Sequence, residues 1–137
     1  MPKPPRTSPC SPDEARTRLR TARAYLDVAG SVLRECDRGE YLNVATGMAV
    51  LAGIAASDAI CGIRLGCLHR GEDHHGAEEL LRKATPDGPK LATVLGRLLS
   101  LKDAAHYGVP VVSSRKATDA RNWAARLVER AGEEAER

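Results

Sequence analysis

Apolar residues recur at alternating spacings of four and three through the first part of the chain: Ala15, Leu19, Ala22, Leu26, Ala29, Leu33 and Cys36. That period keeps one stripe of a helix facing a core for about six turns. Just upstream, Ser11, Pro12 and Glu14 supply an N-cap, a first-turn proline and the acid of a capping box. Asp37-Arg38-Gly39-Glu40 reads as the turn that follows.

A second helix is predicted from about Leu42 to Cys67. Along it Ala45, Ala49, Gly53, Ser57 and Cys61 recur every fourth residue, all of them small. Such positions form one gently wrapping ridge without bulk, on which another helix can come close. Asp58 interrupts the apolar run where an ionised carboxylate needs a partner, with Arg64 or Lys102 the expected ones. Gly71 breaks the chain, and Asp73 caps a short helix to about Lys83 with Ala77, Leu80 and Leu81 on its apolar face. Thr85-Pro86-Asp87-Gly88-Pro89 is a turn cluster. A fourth helix carries Leu91, Val94, Leu95, Leu98, Leu101 and Ala105 in register, and Gly108 and Pro110 close it. The short apolar run Val109 to Val112 has no strand to pair with and reads as a loop. Ser113 or Ser114 then caps a last helix whose seam is Ala117, Ala120, Ala124, Leu127 and Ala131, with Trp123 beside it. The fold class that follows is all-α: an antiparallel four-helix bundle with an additional short helix.

Length and composition fit this reading. The 137 residues suit one domain, divided into a Pro-rich unstructured tail over residues 1–12 and a bundle over residues 13–137. Phe is absent, so the core is built from Ala, Leu and Val, which favours closely packed helices over a sandwich or barrel. The net charge of +3 is modest. Arg16, Arg18, Arg20 and Arg23 are flanked by Asp13, Glu14 and Asp27, which marks a solvated helix face more than a nucleic-acid stripe. Leu42 to Ile63 is about long enough to span a bilayer, but it is rich in Ala, Gly, Ser and Thr and contains Asp58. It reads as a buried core helix, with no membrane partner. The N-terminus has no apolar leader and the four cysteines form no CxxC pair, so the expectation is a cytoplasmic protein with reduced thiols.

Four groups of residues have chemistry to offer. Arg64 and His69 stand five apart; an Arg can steady phosphate charge while an imidazole moves a proton. Lys102 and His106 share a helix face with Tyr107 beside them, a patch suited to an anion. Asp58, with Ser57 next to it, is a candidate binding acid, and Tyr107 a candidate binding residue. Cys67, His69 and His74 have zinc-ligand chemistry, and Glu72 and His75 stand in a Glu-x-x-His relation. A di-iron bundle needs two such motifs, and the polar loop explains these residues without a metal, so no metal or other cofactor is expected.

The order of these features resembles the HEPN superfamily of helical bundles. The likeness is carried by the small-residue helix Ala45 to Leu65, the Asp73-His74 start of a short helix with Leu80-Leu81, the helix ending Leu98 to Tyr107, and the capped Ala-rich helix Ser114 to Ala131. It spans most of residues 40–132. The resemblance implies a homodimer and either a ribonuclease, often a toxin, or a non-catalytic module that binds a protein partner or RNA. The family's catalytic signature is an Arg trailed by a His a little over one turn later, near the start of a late helix. Here Arg64 and His69 have that spacing on an earlier helix, and the later position holds Lys102 and His106. The expectation is therefore a non-catalytic or degenerate module acting through dimerisation and partner or nucleic-acid binding. The alternative is a metal-independent endoribonuclease using Arg64 or Lys102 with His69 or His106.

Overall fold

The computed structural model describes residues 6–36, 38–107 and 111–137. In chain order these form β1 (Thr7–Pro9), α1 (Pro12–Glu35), α2 (Gly39–Leu65), β2 (Cys67–His69), α3 (His74–Ala84), α4 (Gly88–Leu99), α5 (Lys102–Tyr107) and α6 (Ser114–Ala135). The fold is all-α, a helical bundle with one two-stranded antiparallel ribbon at its edge.

Local chemistry sets the helix ends. At the start of α1 the Ser11 hydroxyl accepts from the Glu14 N–H while the Glu14 carboxylate accepts from the Ser11 N–H. Asp73 caps α3 by accepting from the His75 N–H, and Ser113 caps α6 by accepting from the Lys116 N–H. Helix α2 ends at Leu65 because Gly66 takes a left-handed conformation (φ 69°), which glycine adopts without steric cost. The expected end at Cys67 is therefore two residues too late: Cys67 opens β2.

α2 is the hub. Its C-terminal half meets the start of α1, with Gly62 against Ala15, and its start clusters with Leu33 near the end of α1, so the two run antiparallel. α4 is antiparallel to α2 as well, placing Leu98 at Gly53 and Leu95 near Ser57. α6 runs parallel to α2: Ala117 clusters with Leu42, Leu127 reaches Gly53, and Glu134 reaches Arg64. This is the relation of diagonal helices in an up-down bundle, and here they touch. The small ridge makes the contact. Ala45, Ala49, Gly53, Ser57 and Cys61 are all buried. The side chains of Leu98 and Leu127 occupy the space that a Cβ at Gly53 would take. The ridge is consumed inside the chain and offers no face to a partner. α2 is also long and apolar enough to cross a bilayer, but 72% of its most apolar stretch lies buried in this bundle.

Two expectations about the chain's course are corrected. Residues 6–12 are not an unstructured tail: Thr7, Ser8 and Pro9 pair with His69, Leu68 and Cys67, and Cys10 is buried against Gly62 and Ala15. Residues 1–5 lie outside the described part. Proline bars a helix there but tolerates an edge strand, which is how Pro9 is used. The expected fourth helix is two helices, α4 and α5, broken at Ser100, whose hydroxyl donates to the Arg97 carbonyl. Its expected stop at Gly108 and Pro110 lies outside the described residues, as do Asp37 of the first turn and the first two residues of the Val109 to Val112 run.

Candidate functional site

Asp58 sits on the C-terminal half of α2, its side chain only 15% exposed. Its partner is neither Arg64 nor Lys102. Arg18 of α1 donates to Asp58 Oδ2 from Nη2 at 2.9 Å and from Nε at 3.2 Å. Both bonds fall on one oxygen, and no protein hydrogen bond to Oδ1 is present among the described residues. Burial raises the Asp58 carboxyl above its ordinary range, while the Arg18 charge and hydrogen bonds and then His69 act to lower it. Arg18 stands three residues after Ala15 and four before Ala22, so its spacing already put it beside the α1 seam.

Asp58 lines a cavity of about 110 Å³ with Ser57, His69, Ile54, Ala77 and Leu95. β2 places His69 there, and Gly76 of α3 makes room for it. A Cβ at Gly76 would lie 2.8 Å from His69 Nε2 and 3.7 Å from Asp73 Oδ2. The imidazole thus stands near two carboxylates, Asp58 inside the cavity and Asp73 at the start of α3. Burial pushes the Cys61 thiol, one turn along from Ser57, up to about 12 and so keeps it protonated. Among the described residues no imidazole hydrogen-bonds Ser57, so a serine-nucleophile reading has no support.

Arg64 is turned to a different task. Its Nε donates to the Ala84 carbonyl at the end of α3 (3.2 Å), and its Nη1 donates to Glu134 Oε2 at 3.4 Å. His69 meets α3 at Gly76, eight residues before Ala84, which is about 12 Å along the helix. The five-residue spacing of Arg64 and His69 therefore does not bring them together around one phosphate.

Glu134 anchors a network that the sequence reading missed. It is 1% exposed, and Arg130 Nη2 stands 2.7 Å from its Oε1, a charge contact outside hydrogen-bonding alignment. Arg130 also donates to both oxygens of Asp87, at 2.9 and 3.1 Å, and Thr85 donates to Asp87 at 2.7 Å. These bonds hold the Asp87 carboxyl down to about 2, the Arg130 contact contributing most. The ends of α2 and α3, the start of α4 and the end of α6 are tied there. Glu134 falls three residues after Ala131 and seven after Leu127, the same spacing as the α6 seam.

Lys102, His106 and Tyr107 share α5, which buries none of its residues. The His106 ring rests on Gly47 of α2. Gly47 and Asp58 are eleven residues apart, about 16 Å along α2, so α5 and the Asp58 cavity are separate places. Tyr107 is 78% exposed. Around the same end of α2 lie exposed Tyr41, Val44 and Val111, the last against Gly39. Among the described residues no three His, Cys, Asp or Glu side chains gather as metal ligands, so Cys67, His69 and His74 do not converge. All four cysteines are unpaired; Cys10, Cys61 and Cys67 approach one another where the ribbon meets α2.

No family model and no curated protein matches this chain. It is similar to the crystal structure of TT1696 from Thermus thermophilus, with a TM-score of 0.67 and 21% identity, over 88% of this chain and 97% of that one. At that identity the likeness shows a shared fold and nothing further.

Proposed function

We propose that this chain is a HEPN-like helical module that acts by association, as a homodimer engaging a protein or RNA partner, and that it does not cleave RNA. The observation that carries the reading is the commitment of Arg64 to Ala84 and Glu134, about 12 Å along α3 from the contact of His69. The order of elements that resembles the HEPN superfamily supports the family part of the proposal. The small ridge is used up within the chain, so the surface left for a second copy is the α5 end, with Tyr107, Val111, Val44 and Tyr41 exposed around it. Grouped apolar side chains of this kind mark association surfaces more often than scattered ones do.

Two measurements test this. Light scattering during gel filtration should give twice the chain mass of 14.7 kDa, and Tyr107→Asp should return it to the single-chain value. End-labelled RNA incubated with the protein, with and without EDTA, should stay intact in every lane. Cleavage abolished by His69→Ala or His106→Ala would overturn the non-catalytic part and make the chain a metal-independent ribonuclease. A monomeric mass at every concentration would remove the homodimer.

A further inference from the structure

We draw no further inference here: the strongest candidate, the exposed apolar patch formed by Val28 of α1 with Tyr41 and Val44 of α2, runs into the surface already proposed for association, and nothing in the structure shows what else covers it.

Discussion

Replacing Gly53 by alanine adds one methyl group at a close helix contact inside the core. An ideal Cβ at that position lies 2.5 Å from Leu98 Cδ1 and 3.4 Å from Leu127 Cδ1. Both leucines are fully buried, so neither can swing into solvent. Ordinary carbon contacts sit at about 3.5–4.0 Å, so Leu98 must retreat by about 1 Å or more. Inserting a methyl into a packed core costs about 1–3 kcal/mol. Against this, alanine is favoured over glycine inside a helix by about 1 kcal/mol. The net expectation is a loss of about 1 kcal/mol, or roughly 3–5 °C in Tm for a chain of this size. Gly30 on α1 gives the opposite sign. Its Cβ would meet only the ends of two flexible side chains, Arg34 Nη1 at 3.2 Å and Arg121 Nε at 4.0 Å. Gly30→Ala should therefore keep most of the helix gain and stabilise by about 0.5–1 kcal/mol. Urea unfolding followed by circular dichroism measures both. A double-mutant cycle with Leu98→Ala should give a coupling of about 1 kcal/mol or more, because the smaller residue makes room for the new methyl. If Gly53→Ala stabilises as much as Gly30→Ala, the close approach of α4 and α6 to α2 is wrong.

Removing residues 1–10 should destabilise the bundle by about 1–3 kcal/mol, since it deletes a buried side chain and the backbone bonds Cys10 N–H to Gly66 O and Arg70 N–H to Arg6 O. An unchanged melting temperature would mean that the β1–β2 ribbon does not hold in solution. Asp87 should give a measurable acid dependence, because its carboxyl is held at about 2 against an ordinary 3.8. A depressed folded-state value means that its stabilisation is complete above the ordinary range and is lost as pH falls from about 4 through 2. Urea midpoints across that window should fall more steeply in the wild type than in Asp87→Asn, and equal slopes would detach Asp87 from the network.

The helices were legible in the sequence because their stripes and caps are local. The Ser11 capping box, the Asp73 and Ser113 caps and the α1 and α6 seams all depend on residues within a turn of one another. The ribbon was not. A three-residue strand with a proline at its end carries no period of its own, and its partner lies about sixty residues along the chain at Cys67–His69. The break of the fourth helix at Ser100 also escaped, since apolar spacing continues unbroken through Leu98, Leu101 and Ala105. At the candidate site the types of residue were legible and their partners were not. Asp58 needed a cation, but the choice of Arg18 over Arg64 is made by the packing of α1 on α2. Glu134 was hidden because an acid at a seam position looks like the edge of a solvated face until a buried arginine is placed against it.

Polar groups divide the two ends of α2 into different kinds of surface. At its C-terminal end, Asp58, Arg64, Glu134 and Asp87 are each held by a partner from another element, and Cys10 and Ala15 cover Gly62. A substitution there is felt first as lost stability, because breaking a buried pair strands the charge left behind. At the N-terminal end the contacts are of another sort: His106 lies on Gly47, Val111 on Gly39, and α5 buries nothing of its own. Substituting Tyr107, which is 78% exposed, removes almost no internal contact. Its loss should therefore change what the chain meets and leave its melting unchanged, which is why the proposed association is best tested there.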